Sequence, residues 1–297
     1  MTYSIILWGL GAVYNKVFNS IKYLELTDQI RIVGITAKDL PEVNRIDEYD
    51  VIDIKELSTA AYDYVFILSD NYYNEMVNIG VNDYHIDRKK LVHYKALLIP
   101  NINIHKYFEL LQSRLTIISN NCWGGVVYNS LGLECLTPLK NLFILNDDYL
   151  KLLSNVEYYF SLKPQYSRME IDRHSKKEYP VLRLGDIDIH CNHAEDSESA
   201  IDTWMRRVKK VNYNNFFYEM YTESKEISYR FGKITGNTKK ICFVPWVAKY
   251  KYEMQLELEN GQKEFYEAVN SNASLGAHSV KYDLVELLQG NMVFRSV

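Results

Sequence analysis

The feature that most restricts the fold is a particular kind of apolar run. YSIILW (Tyr3–Trp8), IRIVGIT (Ile30–Thr36), DYVFILS (63–69) and LTIIS (115–119) are apolar at nearly every position instead of every second one. A strand with no polar face needs cover on both sides, as in a parallel sheet flanked by helices. The first run stops at Gly9, and in AVYNKVFNSIKYL the residues Val13, Val17, Ile21 and Leu24 then recur at helical spacing. Strand, glycine turn, helix and strand, joined by the right-handed crossover that parallel connections adopt, predict a doubly wound, Rossmann-like unit. YDVIDI is expected as a further strand of it.

The turn GLGAVYN carries two glycines of a dinucleotide fingerprint, Gly9 and Gly11, with Tyr14 where the third would stand. Such glycines allow a tight turn and let a phosphate approach the start of a helix. At the end of the second strand, where an acidic residue would hold a ribose hydroxyl, stands Thr36, with Asp39 three residues on. The pattern therefore argues against NAD. It leaves a nucleotide or nucleotide-sugar ligand open beside the plain alternative that the glycines only make the turn. With Ser69, Asp70, Gly80 and Val81 after the DYVFILS run, this third of the chain resembles the small Rossmann-like domains attached to bacterial sugar-nucleotide, methyl- and acyl-transfer proteins of surface-polysaccharide pathways. The resemblance implies a fold and supplies no catalytic residue.

The chain has 297 residues, enough for two domains, and its 47% hydrophobic and 24% charged residues are those of a folded α/β protein. A net charge of -4 offers no general attraction to nucleic acid or anionic lipid, so nucleic acid is not an expected partner. The apolar start breaks at glycines too soon for a membrane span or signal peptide, and a cytoplasmic location is expected. Cys122, Cys135, Cys191 and Cys242 are widely spaced, which points to reduced thiols and away from a zinc ribbon.

INIHKYFELLQSR reads as a linking helix, which places a boundary near residue 112: a nucleotide-binding type of unit at 1–112 and a second, different α/β domain with a mixed sheet at 113–297. In the second part, LTPLKNLFIL reads as a strand and the following segment as a helix capped near Asn146 and Asp147. In YPVLRLGDIDIHCNH the alternation changes phase at Gly185-Asp186. A two-residue turn there pairs Leu184 with Ile187, Leu182 with Ile189, and Arg183 with Asp188, and puts His190 on the polar face with Asp188. EDSESAIDTWMRRVKKVNYNN is a helix with Asp196 or Ser197 as cap, acidic residues at its start and basic residues at its end, in accord with the helix dipole. Its Arg206 and Arg207 can hold a phosphate or stand as a solvated helix end. The last segment reads as a strand at 251–258, an Asn-Gly turn at 260–261 and a helix around Leu284–Leu288.

ISNNCWGG, YPVLRLGDIDIHCNH, AIDTWMRRVKKVNYNN and KKICFV, in that order, resemble an uncharacterised bacterial exopolysaccharide and capsule-biosynthesis family, the homologues of a streptococcal capsule-cluster protein. The resemblance covers most of residues 115–245. It implies an α/β fold and a place near polysaccharide assembly, with a small-molecule sugar or nucleotide-sugar as ligand, and no established reaction.

The turn Asn120-Asn121-Cys122-Trp123-Gly124-Gly125 follows a strand and precedes a helix, the position at which open α/β sheets bind ligands. A thiol at a helix N-terminus gains from the dipole, so Cys122 can act as a nucleophile, with Gly124 and Gly125 offering backbone N–H groups to an oxyanion. His190 or His193 would be the base, with Asp186 or Asp188 to orient it. The alternatives are a Cys122 that only fills space and a Trp123 that plugs the core. No metal is assigned, since His190, His193 and Asp186 lack a third histidine.

Overall fold

The structure is a computed structural model and describes residues 1–38, 43–236, 239–273 and 282–293. Asp39 lies outside them. The chain divides into two compact units, Met1–Gln112 with Leu131–Leu133, and Ser113–Ser130 with Glu134–Val297.

Unit 1 holds β1 (Tyr3–Trp8), α1 (Ala12–Leu26), β2 (Ile30–Thr36), β3 (Arg45–Ile46), β4 (Tyr49–Asp50), β5 (Tyr64–Ile67), α2 (Tyr73–Asn82), β6 (Leu91–His93) and most of α3 (Ile104–Ser113). Its four-stranded sheet runs β2-β1-β5-β6 with every pair parallel, and Ile5, Ile6 and Leu7 have no exposed surface. The run without alternation is thus a strand covered on both faces. YDVIDI differs from the expectation. Its first residues pair with β3 in a small hairpin, Val51 makes a single bridge to Ile35, and Asp53 then accepts from the Lys55 N–H and starts a 3-10 turn. That capped turn ends the extended chain before a strand can form. The buried face of α1 carries Tyr14 with Val17, Ile21 and Leu24, and Val13 is only partly buried. At the place of the third fingerprint glycine, the Tyr14 ring fills the space and its hydroxyl donates to Asp47 at 2.5 Å.

Unit 2 holds β7 (Thr116–Ser119), α4 (Trp123–Ser130), α5 (Asn146–Ser154), α6 (Val156–Ser161), β8 (Gln165–Ile171), β9 (Glu178–Leu184), β10 (Ile187–His190), α7 (Ser197–Val208), β11 (Phe216–Tyr221), α8 (Lys225–Gly232), β12 (Lys240–Val244), β13 (Glu253–Gln255), α9 (Phe265–Ser271) and α10 (Leu284–Leu288). Its parallel and antiparallel strands lie in separate sheets, β13-β12-β11-β7 and β10-β9-β8. The β9–β10 hairpin has Leu184 opposite Ile187, Arg183 opposite Asp188 and Leu182 opposite Ile189, and Gly185 takes φ +64° at the turn. Leu182, Leu184, Ile187 and Ile189 pack into the same core as Ile118 and Met220 of the parallel sheet and Trp204 of α7, so one core serves both sheets.

Two local expectations are corrected. LTPLKNLFIL is not a strand, and only Phe143 bridges His190. The helix after it is capped by Leu145 without a side-chain bond, because Asn146 turns its amide to Asn120 and Thr222. That helix is also broken at Asn155, whose Oδ1 accepts from the Tyr158 N–H and opens α6. α7 has the expected cap, with Asp196 accepting from the Ser199 N–H at 2.8 Å.

Candidate functional site

β7 and β11 are parallel neighbours with Ser119 opposite Glu219, and the chain leaves the sheet just past Ser119. Glu219 is wholly buried and is held by three side-chain contacts. Ser119 donates its hydroxyl to Glu219, and the Asn121 amide donates to both carboxylate oxygens at 3.0 Å. Burial pushes the Glu219 carboxyl up to about 7 against the pull of the Ser119 and Asn121 hydrogen bonds. Asn121 Oδ1 in turn accepts from the Trp123 N–H at 2.6 Å, which caps the first turn of α4.

Asn120 does the corresponding work on the sheet side. Its Oδ1 accepts from the Tyr221 N–H at 3.2 Å and its Nδ2 reaches the Tyr221 carbonyl at 3.3 Å, so one amide continues the β7–β11 ladder by a step after the backbone has turned away. Asn120 and Asn121 are 4% and 6% exposed, and their polar atoms are committed to the protein. The two asparagines therefore shape the turn, with their amides turned to protein partners. Trp123 is 0% exposed; its indole N–H donates to the Tyr282 hydroxyl and its ring stacks on Phe217. It is a core residue. α4 starts at Trp123, so Gly124 and Gly125 lie inside its first turn. A Cβ at Gly124 would come within 3.0 Å of Ile117, and one at Gly125 within 3.1 Å of Lys140, so both glycines let the helix lie close to its neighbours.

Cys122 is the residue of the turn that keeps partial exposure with no backbone duty for its side chain. Its Sγ lies 3.8 Å from Nε2 of the exposed His193. Burial, with Glu219 as a second cause, pushes the thiol up from its ordinary value. Beside the pair is a cavity of about 340 Å³ whose walls include His193, Lys140, Cys191, Asp196, Trp204 and Arg207. Burial likewise drives the Cys191 thiol up to about 12 and so suppresses its thiolate.

The other expected members do not join. His190 is 2% exposed, stacked on Phe143 at 4.5 Å, with Nδ1 near the Tyr179 hydroxyl and Glu170, each at 3.3 Å. Burial lowers its pKa. The side chains of Phe143, Tyr179 and Glu170 close round His190 on the face that alternation marked as polar. Asp186 accepts from the Tyr159 hydroxyl at 2.7 Å and pairs with Lys151, and Asp188 pairs with Arg168 and Arg183. Asp186 sits at the hairpin turn, and β10, at about 3.3 Å per residue, carries the chain away from it before His193 is reached. The grouping is thus a Cys122–His193 pair without a carboxylate to orient the imidazole among the described residues. The basic end of α7 is also divided: Arg206 is exposed, and half-buried Arg207 lines the cavity and donates to the Lys140 carbonyl at 2.6 Å. Gly9 (φ +125°) and Gly11, the N-cap of α1, stand together at the end of β1 in unit 1.

Glu219 escapes a reading of the sequence by pattern. Its signal is a lone carboxylate inside the otherwise aromatic and apolar FFYEMY, a position that a covered parallel strand must bury. Among the described residues no group of three or more His, Cys, Asp or Glu side chains could hold a metal ion, and no helix is long and apolar enough to cross a membrane.

Comparison with known proteins adds family relationships. Residues 1–92 match the domain described as C2185-like, N-terminal. An uncharacterized protein of Haemophilus influenzae is 29% identical over 112 residues, 38% of this chain, and the match spans about half (52%) of that relative's length. Residues 93–289 match the domain of unknown function DUF1919 and include β7, the Cys122 turn, His193 and Glu219; the chain belongs to the DUF1919 family.

Proposed function

We propose that unit 2 is a thiol-dependent transferase of surface-polysaccharide assembly, in which Cys122 takes an acyl group from an activated donor and passes it to a sugar hydroxyl. The 3.8 Å approach of His193 Nε2 to Cys122 Sγ carries this reading. A thiol raised by burial is protonated at rest, so attack requires a base that removes the proton in the same step, and His193 stands where that base must be. Sγ attacks the donor carbonyl as its proton passes to Nε2; the C–S bond forms, the bond to the leaving group breaks, and the leaving group departs with that proton. A sugar hydroxyl then attacks the thioester, its proton passing through His193 back to Sγ. The N–H groups of Gly124 and Gly125, which follow the Trp123 N–H bonded to Asn121, are the donors nearest in sequence for the oxyanion. Glu219 positions the nucleophile through Asn121 and does not touch the reacting atoms. The polysaccharide setting rests on the resemblance of the ISNNCWGG, LRLGDIDIHCNH and TWMRRVKK segments.

Incubation with acetyl-coenzyme A followed by intact-protein mass spectrometry is expected to show an acetyl adduct that Cys122→Ser abolishes and His193→Ala slows at least about a hundredfold, the scale of a lost general base. In the host, both variants should lose polysaccharide output; full output from both would end the nucleophile reading. The second reading, a nucleotide-sugar-binding module without turnover, is supported by the glycine turn of unit 1, where a Cβ at Gly11 would meet nothing within 4 Å. Calorimetry with nucleotide-sugars, giving heat of binding that Gly9→Val removes and no product, would favour it.

A further inference from the structure

The cavity beside Cys122 has more hydrogen-bond donors than acceptors, and its cations lack counter-charges among the described residues. Arg207 is half-buried, and its bond goes to a backbone carbonyl, with no carboxylate paired to its guanidinium among those residues. A buried or half-buried guanidinium ordinarily has an anionic partner. Lys140, also in the cavity wall, has no ion pair among them either. Trp204, a third wall residue, is 2% exposed, and among the described residues its indole N–H has no acceptor; a buried donor without a partner is costly and calls for an explanation. Two carboxylates also border the cavity. Asp196 is spent on capping α7, and Glu195 is exposed to solvent.

Resting on the transfer reading above, we infer that this cavity holds the phosphoryl group of a small phosphorylated ligand, of sugar-phosphate size, next to the Cys122–His193 pair. The volume of about 340 Å³ is at the small end of ligand pockets, which suits a sugar phosphate and excludes a whole dinucleotide. Donors on Arg207 and Trp204 of α7 and on Lys140 of the segment before α5 match the three terminal oxygens of a phosphoryl group better than the two of a carboxylate. Arg207 supplies a planar fork suited to bidentate phosphate recognition, and Lys140 supplies a point charge. His193 belongs to both the cavity wall and the thiol pair, so one side chain joins the cavity to Sγ.

Calorimetry on the full chain with glucose 1-phosphate, glucose, glucuronate and inorganic phosphate tests the assignment. Glucose 1-phosphate is expected to bind, with glucose silent and glucuronate at least tenfold weaker. Inorganic phosphate binding as tightly as the sugar phosphate would place recognition in the anion alone and overturn the sugar-phosphate assignment. Arg207→Gln and Lys140→Gln should each weaken binding at least tenfold, whereas Arg230→Gln, which neutralises a charge paired with Asp147, should leave it unchanged. Lys140→Gln guards against misfolding, since the Lys140 side chain makes no ion pair among the described residues. Bound glucose 1-phosphate should also slow alkylation of Cys122 by iodoacetamide, and Cys122→Ser should keep the binding. No binding of any phosphorylated probe, or binding indifferent to both cavity variants, overturns the inference. Retained binding with no Cys122-dependent transfer would leave the cavity assigned and remove only the nucleophile.

Discussion

Two turns in this protein solve one structural problem by opposite means. Each takes the chain from the C-terminal end of a parallel strand into a helix. In unit 1 the turn after β1 uses backbone freedom: Gly9 adopts φ +125°, and Gly11 caps α1 without a side-chain bond. In unit 2 the turn after β7 uses side chains: Asn120 extends the ladder to Tyr221, Asn121 caps α4, and Glu219 holds Asn121 from the neighbouring strand. The glycine turn spends no side chain on its closure, and its Gly9 N–H donates to the Thr36 carbonyl at 2.8 Å. An asparagine turn spends its polar groups on the protein and offers instead the Cys122 thiol, which has no part in closing it. Equivalent places in two α/β units can therefore serve different chemistries, according to whether backbone or side chain closes the turn.

The contrast can be broken most strongly at Asn121. Asn121→Ala removes two donors' worth of contact to a buried carboxylate and the cap of α4, and should destabilise unit 2 by about 3 kcal/mol. Denaturant unfolding followed by tryptophan fluorescence checks this, because Trp123, Trp204 and Trp246 lie in unit 2 and Trp8 alone lies in unit 1. A loss below about 0.5 kcal/mol would show that the side-chain lattice is dispensable.

Glu219 gives the next effect, seen in pH dependence. A carboxyl whose folded pKa is raised to about 7 binds its proton more tightly in the folded chain than in the unfolded one. Its contribution to stability is therefore fullest below the ordinary glutamate range and is lost as pH rises to about 7, at a slope of about 1.4 kcal/mol per pH unit. Glu219→Gln should remove that slope, so the variant should gain on the wild type as pH rises from the ordinary glutamate range towards neutrality. Carboxylates held below their ordinary values, such as Glu170 and Asp186, act in the opposite direction and cancel in this difference. A difference that stays flat with pH would contradict the raised Glu219.

In unit 1 the expected effects are smaller and fall on one glycine only. Gly9→Ala puts a Cβ at a positive φ and within 3.2 Å of the Leu68 carbonyl oxygen, and should cost about 2 kcal/mol. Gly11→Ala meets nothing within 4 Å at a negative φ and should change stability by less than about 0.5 kcal/mol. If Gly11→Ala nevertheless abolishes nucleotide-sugar binding, the second glycine is kept for a ligand and not for the fold.

What could be read from the residues follows the range of the interactions. The β9–β10 register was legible because Gly185-Asp186 forces the pairing within a few residues, and α7 because its cap and its charges lie within its own length. The linking helix, Ile104–Ser113, and the last helix, Leu284–Leu288, were legible for the same reason. LTPLKNLFIL misled, since an apolar run of that length fits a strand or a packed irregular segment equally, and tertiary burial decided for the second. At the site, Cys122 and His193 were nameable as residue types with the right chemistry. Their partners were not: alternation alone put His190 on an open face, and the approach of Phe143 and Glu170 to it depends on contacts outside the hairpin.

By itself, then, the sequence determined the α/β class with its parallel sheet at the start of the chain, the glycine turn, the hairpin register and the capped helix, all set by contacts near in the chain. Only the tertiary structure decided that β11 pairs with β7, and with that pairing came the site. Glu219 meets Ser119 and Asn121 across about a hundred residues, and His193 meets Cys122 across 71. Such contacts exist only after long loops have closed onto a common core, and a linear pattern carries no record of which segment that closure brings alongside.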